Sequence, residues 1–535
     1  MKRCIALLPL IYFAAPVQAL TIRVGADAGC DTSSLATALT QARANPGADT
    51  IRIASNQSYA SQLLSVDSDV TLRGGYASCD APAPNGRTAL TGTGNWAVIS
   101  VYTDNASGIV ARLEGLDISG GGVGGDIGDF GGVVVGGRAR AALADLRIHN
   151  NAGIFGGGLA VNGTNAIVDL ERKVEIDANR ATYGGGIAAA GTLRLRPNTV
   201  DVHDNTAAVG GGLYVDGGLA SVGVNADDPA SWVDGLLIRN NAASERGGGV
   251  YVTGTFGKLL AESTIVRDNS AGAEGGGLYA TNGGYLQFTR YSMGPQRPCA
   301  AEQECLRVSG NSAPRGGGIA LSAGAGAALS HSVIRDNTSA DSPAISLRGA
   351  ASDLRVLGSV IARNRCSGDN GLCAPIHTSG GKLRFSYTTI ADNTAGASVP
   401  SPIYADGAGG EPTTRVEVYS SLVSGHSRLY SQNGAVATDA GDCLLISEGQ
   451  VPGGFTRSDV APIAFTDAAR GDYRLRAGTA AIDFCDASRL QTEDPDIDGI
   501  VRGLESPGNA NDFGAYDLGA FEFERIFAGG FEGQR

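Results

Sequence analysis

An asparagine followed five or six residues later by three consecutive glycines recurs through the middle of this chain. The copies read "IHNNAGIFGGGLAV" from Ile148, "IDANRATYGGGIAA" from Ile176, "VHDNTAAVGGGLYV" from Val202 and "IRNNAASERGGGVYV" from Ile238. "VRDNSAGAEGGGLYA" follows from Val266 and "VSGNSAPRGGGIAL" from Val308. Degenerate copies begin at Ile334, Ile361 and Ile390. The aligned asparagines are Asn151, Asn179, Asn205, Asn241, Asn269, Asn311, Asn337, Asn364 and Asn393. Their spacings are 28, 26, 36, 28, 42, 26, 27 and 29 residues, a period of 26–29 with two insertions.

A period of that length is the mark of a solenoid. Each repeat holds short apolar or β-branched runs, such as "GLLIRN" and "GGGVYV", separated by turn residues. These read as strands of a few residues each. No amphipathic helical pattern of useful length occurs inside the repeat. The expected fold class is therefore all-β, a right-handed parallel β-helix, because one coil cannot bury its own apolar face and must stack on neighbours. Roughly a dozen coils at about 4.8 Å each make a rod of about 60 Å. Asparagine tolerates left-handed backbone and hydrogen-bonds at turns, so the aligned asparagines predict a stacked amide ladder. Glycines supply positive φ where the chain kinks into the next strand. With 80 glycines in 535 residues, against a usual share of about 7%, this demand is met many times over. The triplets are not phosphate loops, since G-x-x-x-x-G-K-[ST] and a following helix are both missing. Strand–helix alternation is missing too, which excludes a dinucleotide fold.

The open ends of a solenoid need covers. Residues 33–45, "SSLATALTQARAN", place Leu35, Ala38, Leu39 and Ala42 at helical spacing, with Ser33 or Ser34 as N-cap. We assign residues 20–90 to an N-terminal cap and first coils, and 91–430 to the repeats. Residues 431–524 form a C-terminal region, and 525–535 a short tail. Residues 1–19 read as an export signal: Lys2 and Arg3, an apolar Ala6–Ala15, then a small residue at Ala19. The apolar run is short for a membrane anchor, and no later segment is long enough to span. Beyond Cys4, the cysteines fall as neighbours: Cys30 and Cys79, Cys299 and Cys305, Cys366 and Cys373, Cys443 and Cys485. An even count in an exported chain points to disulfides, paired here by proximity.

These features resemble bacterial exported parallel β-helix proteins of the pectin-lyase-like superfamily, over residues 20–430. The segments "GDYRLRAGTAAID", "DIDGIVRG" and "DFGAYDLGAFE" are similar to the C-terminal region called choice-of-anchor Q. The closing "RIFAGGFE" is similar to terminal signatures on exported proteins of some gamma-proteobacteria. That resemblance implies secretion or surface attachment. A looser resemblance links the repeats to polymorphic outer-membrane proteins, whose F-x-x-N element they lack.

Chemistry is sparser than architecture. "DPDIDGIVRGLE" fits D-x-D-x-D-G-x5-E, so Asp494, Asp496, Asp498 and Glu505 form a Ca²⁺ candidate around Gly499. The flanking helices of such a loop are missing, and the competing reading is an acidic turn bonding to its own backbone. "GGVGGD" at 121–126 matches half of a calcium-binding nonapeptide that works by tandem stacking and occurs here once, so it reads as a glycine-rich coil turn. Asp227–Asp228 lies in an insertion, and the motifs of polygalacturonase-like hydrolases are missing. Beside the ladder run two polar columns: Asp204, Asp268, Asp336, Asp392, and His149, Asp177, His203, Arg239, Arg267, Arg335. They form either a carbohydrate groove or a solvated face with offsetting charges. A net charge of −13 disfavours nucleic acid, and disfavours anionic polysaccharide unless a metal or basic stripe intervenes. The expectation is a monomeric, exported, non-enzymatic adhesin-like protein binding carbohydrate or cell-envelope components, with no catalytic residues. The alternative is a polysaccharide lyase or glycoside hydrolase.

Overall fold

Short β-branched runs of period two, each ended by a left-handed residue or glycine, wind into stacked coils. The computed structural model describes residues 18–523, apart from 123–128, 196–199, 223–235, 263, 290–305, 369–370, 408–413, 434–437, 487–494 and 507–512. One coil shows the plan. Leu159–Asn162 is followed by Ile167–Arg172, Val174–Asp177 and Arg180–Tyr183, and Gly184–Gly186 lead into the next coil at Ile187–Ala189. Each strand pairs in parallel with its counterpart one coil on: Leu159 with Ile187, Val168 with Leu193, Ile176 with Val202, Arg180 with Thr206.

Among the described residues, stacking generates three long sheets. Sheet I has 28 strands and bends within each coil at a left-handed residue such as Lys173 (φ 47°). Sheet II has 13 strands, from Leu64–Val66 to Tyr430–Asn433. At about 4.8 Å per strand, it runs about 60 Å. Sheet III is a five-strand strip between the ladder and the glycines, running from Ala152–Phe155 to Ser270–Ala271. Parallel pairing starts at Thr21–Val24 and continues through Phe455–Val460, so coils extend well past the Asn–Gly repeats at both ends. After Arg415 the strands go on pairing in parallel without the ladder or triplets, which is why the repeat fades there.

The interior is built from columns. Ile148, Ile176, Val202, Ile238, Val266, Val308, Ile334, Ile361 and Ile390 stack at no more than 2% exposure. Burying such a side chain is worth roughly 1.5–3 kcal/mol relative to exposure, and register multiplies that along the rod. The helix Leu35–Ala44 closes the N-terminal end with Leu35, Ala38, Leu39 and Ala42 buried. Ser34, rather than Ser33, is its cap and accepts from the Thr37 N–H. Disulfides join Cys30 to Cys79, Cys366 to Cys373 and Cys443 to Cys485, with Cα separations of 5.2, 6.0 and 6.0 Å. They fit an oxidising compartment. Cys299 and Cys305 lie outside the described residues, as do residues 1–17 and 524–535. No helix among the described residues is long and apolar enough to cross a membrane.

The segment Phe465–Phe523 folds back over the last coils. Leu475, Ile482, Phe484 and Leu518 pack with Leu422 and Leu445, and Tyr473, Ile497 and Ala520 with Val360 and Ala391. Its antiparallel pairings, Phe465–Asp467 with Asp472–Leu475 and the Cys485–Tyr516 bridge, set it apart from the coils.

Candidate functional site

The asparagine ladder is continuous through all nine predicted positions. From Asn179 onward each Oδ1 accepts two hydrogen bonds from the asparagine one coil before, through its backbone N–H and its Nδ2, while Asn151 Oδ1 accepts from the Gly121 N–H at 2.9 Å. Asn241 N and Nδ2, for example, lie 2.9 and 3.0 Å from Asn269 Oδ1. Each Nδ2 also donates to a carbonyl of the coil before, as Asn269 does to Ile238 O at 3.0 Å. One detail differs from expectation. The ladder asparagines are not left-handed; the residue before each one is, as at Asn150, Ala178, Asp204, Asn240, Asp268, Asp336, Arg363 and Asp392 (φ 52–56°). The turn places its αL residue outside, so that the asparagine amide can point inward along the stack.

The glycines divide their work. The first of each triplet has positive φ, 59–69° from Gly156 to Gly316. The second and third are glycine because of close approach. A Cβ on Gly157 would sit 2.5 Å from Gly185 O, and one on Gly158 would sit 2.9 Å from Asn179 Nδ2. Ladder and triplets are thus consumed by architecture and leave no polar group for a ligand.

The polar columns beside the ladder lie on and just after strands of sheet I and are mostly paired with charged neighbours. Arg147 forks Asp177 at 2.8 and 3.0 Å, Arg239 meets Asp201 at 2.9 Å, Arg267 meets Asp268 at 2.5 Å, and Arg363 forks Asp336 at 2.8 and 3.0 Å. Asp392 accepts from the Tyr473 hydroxyl of the C-terminal segment. Little of this stripe remains as an open groove.

In the acidic tail motif, Asp494 lies outside the described residues. Asp496 is fully buried and already engaged: Oδ1 accepts from Ile500 N at 2.7 Å and Oδ2 from Glu522 N at 2.8 Å. Gly499 (φ 87°) closes the turn, Asp498 is half-buried and Glu505 is exposed. Asp496 therefore acts here as a clamp between two backbone segments. Asp483, Asp517 and Glu522 are buried beside it, with Arg502 the cation among them. Burial pushes Asp517 up to about 8 and Glu522 up to about 7, because one guanidinium cannot offset four carboxylates out of water. Raised folded-state values mean that the stability these groups supply is present below the ordinary carboxylate range and lost as pH rises through 7–8. Docking of the C-terminal segment is expected to weaken progressively from about pH 4 to about pH 8 and to level off above. Limited proteolysis across that range checks this, and a Glu522→Gln variant should show a flatter profile.

The outer face of sheet II carries what the sequence did not announce. Five rings stack along it: Phe155 on Tyr183 at 5.1 Å, Tyr183 on Tyr214 at 5.2 Å, Tyr214 on Tyr251 at 5.4 Å and Tyr251 on Tyr279 at 5.1 Å. The first two arise at the ends of sheet III strands, where sheet II carries the small Ala160 and Ala188 in register; the last three belong to sheet II itself. Burial pushes the Tyr251 hydroxyl up to about 12 and raises Tyr214 as well, so both stay neutral donors. At the Phe155 end is a cavity of about 240 Å³ over Ala160, Ala188 and Ala189, walled by Phe130, Phe155 and Tyr214 and rimmed by Asp129, Asn162 and Asp216.

At the Tyr279 end the face turns charged. Glu274, only 6% exposed, is met by Arg246, Arg315 and Arg348 at 3.2, 3.0 and 3.2 Å. Asp341 Oδ1 meets His377 Nδ1 at 2.9 Å. Two adjoining cavities of about 320 and 420 Å³ open here and share Arg348, Ser379 and Asp406. Burial raises Glu274, but the three guanidinium groups outweigh it and leave the carboxyl below its usual range. Asp341 is likewise held down by His377 against its burial. Both are ionised at neutral pH, whereas glycoside hydrolysis needs one carboxyl kept protonated as a general acid. Three arginines around one buried glutamate supply the local basic patch that the net charge of the chain conceals. A sequence signal for the rings existed: "GGGLYV", "GGGVYV" and "GGGLYA" put tyrosine at the outward position after the triplet. No known family matches the chain when it is scanned against family models, and no curated protein matches it.

Proposed function

We propose that this protein is an exported or surface-associated, non-enzymatic solenoid that binds a glycan or cell-envelope polymer along the outer face of sheet II. The observation that carries this reading is the unbroken ring ladder from Phe155 to Tyr279, which joins an apolar cavity to a basin lined by Arg315 and Arg348. Pyranose rings present C–H faces to aromatic surfaces and hydroxyls to arginine and carboxylate groups, and a rigid sheet holds such groups in line at fixed spacing. The apparent export signal, the disulfides and the resemblance of the chain to pectin-lyase-like and choice-of-anchor Q proteins support placement outside the cytoplasm. The ionised Glu274 and Asp341 of the basin support binding over hydrolysis.

The test is binding to a panel of plant and bacterial polysaccharides, with products analysed in parallel. Saturable binding is expected, with Tyr251→Ala and Arg348→Ala each weakening it about tenfold, the loss of one good ring or charged contact of about 1.4 kcal/mol. Unsaturated products or new reducing ends would establish the lyase or hydrolase alternative instead. Unchanged affinity in both variants would remove sheet II as the binding face.

A further inference from the structure

His203 presents both ring nitrogens to carboxylates. Its Nδ1 lies 2.7 Å from Asp204 Oδ2 and its Nε2 lies 3.2 Å from Glu175 Oε1. A neutral imidazole carries one N–H and can donate to only one of these carboxylates; the other contact is met either by the doubly protonated ring or by a cation held between nitrogen and oxygen. The strand register supplies a third donor: Asp177 pairs directly with His203, and Glu175 lies two residues before it on the same side of the strand. Ligand atoms of Glu175, Asp177 and His203 all lie within 4.8 Å of one another, the one such group among the described residues. The Asp177 and His203 side chains are 7% and 11% exposed and Glu175 38%, so the group is seated in the wall with one side open to solvent.

We propose that Glu175, Asp177 and His203 bind a divalent first-row transition ion, on a face separate from the sheet II groove and independent of the function proposed for it. The donor set is one imidazole and two carboxylates, which suits Zn²⁺ better than Ca²⁺, a cation that takes oxygen ligands. Asp204 fills the place of an outer carboxylate: by accepting from Nδ1–H it leaves Nε2 as the ligand atom. Its left-handed backbone (φ 54°) is the turn conformation required before Asn205, so the ladder geometry sets this orientation. The opposing charge is Arg147, which forks Asp177 and stands 3.8 Å from Glu175, with Arg87 at 3.8 Å from Glu175. Arg147 therefore competes with the ion for Asp177.

Calorimetric titration of the full chain with Zn²⁺, and separately with Ca²⁺, tests the site. One saturable Zn²⁺ site is expected. His203→Asn should weaken it at least tenfold and Arg147→Gln should tighten it, while His149→Asn leaves it unchanged. Melting curves show whether each variant is folded; should His203→Asn fail, Glu175→Gln carries the same comparison. Absence of Zn²⁺ binding by the parent chain would overturn the assignment. So would equal Zn²⁺ affinity in the folded ligand variant, or Ca²⁺ binding as tight as Zn²⁺.

Discussion

Gly276→Ala is expected to destabilise the solenoid by about 3 kcal/mol, with the loss centred on the coils at 242–280 and 306–321. The added Cβ would lie 2.4 Å from Ser312 O and 2.5 Å from Gly317 O. Both are backbone atoms of the next coil, and hydrogen bonds hold that coil in place: Ala271 N to Ser312 O at 2.9 Å, Gly276 N to Gly316 O at 3.1 Å and Gly277 N to Gly317 O at 3.1 Å. A flexible side chain could swing away, but these carbonyls move only if the coil spacing widens, and widening breaks the sheet bonds beside them. Interiors packed to crystal density do not absorb such a shift locally. Gly453→Ala is the control, since its Cβ would meet nothing within 4 Å; it should stay within about 0.5 kcal/mol of the parent. Thermal melts, together with amide hydrogen exchange mapped along the chain, read both effects. A Gly276→Ala protein that melts with the parent would mean that the triplets are not closely packed.

Asn269→Ala is expected to cost about 3–5 kcal/mol, although it removes only one small amide. Four ladder bonds disappear: from Asn241 N and Nδ2 to Oδ1, and from Nδ2 to Asn311 Oδ1 and Ile238 O. The larger part of the cost is what remains. The buried Asn241 N–H loses its acceptor with no water to replace it, worth about 1–3 kcal/mol alone. A shared ladder also loses more than one pair when a middle rung goes. Asn269→Asp keeps the acceptor but places a charge at a position 1% exposed and loses both donor bonds, so it should be no better tolerated. Exposed Asn105→Ala should change stability by less than about 0.5 kcal/mol. Because solenoid coils open locally, hydrogen exchange near Asn241 and Asn311 is the sharper measurement.

The two substitutions bear on different parts of one motif, and how legible each part was differs. The period of the asparagines was enough to place the ladder, because a rung repeats at every coil and a column is only a period read in space. The left-handed residue before each rung escaped, since Asn150, Ala178, Asp204 and Arg363 share a conformation and no side-chain chemistry. The reason for the second and third glycines escaped as well. Positive φ is a local property that sequence suggests, whereas a carbonyl 2.5 Å from an imagined Cβ belongs to another coil.

The same distinction separates the whole fold from its sites. The sequence by itself determined the parallel solenoid, the asparagine ladder and the capping helix with its four buried positions; it suggested the cysteine pairs by proximity, and three of these are bonded in the structure. All are set by local spacing or by a repeat that recurs in register. Only the tertiary structure decided which outward residues meet. Phe155 and Tyr183 reach the rings of Tyr214, Tyr251 and Tyr279 from a different position in their repeats. Arg348 reaches Glu274 across 74 residues of chain. His203 meets Glu175 because strands one coil apart pair without slippage. Outward side chains are free of the apolar period that betrays the core, and insertions of uneven length shift their numbering. Their companionship is therefore a property of the stacked coil and of nothing shorter.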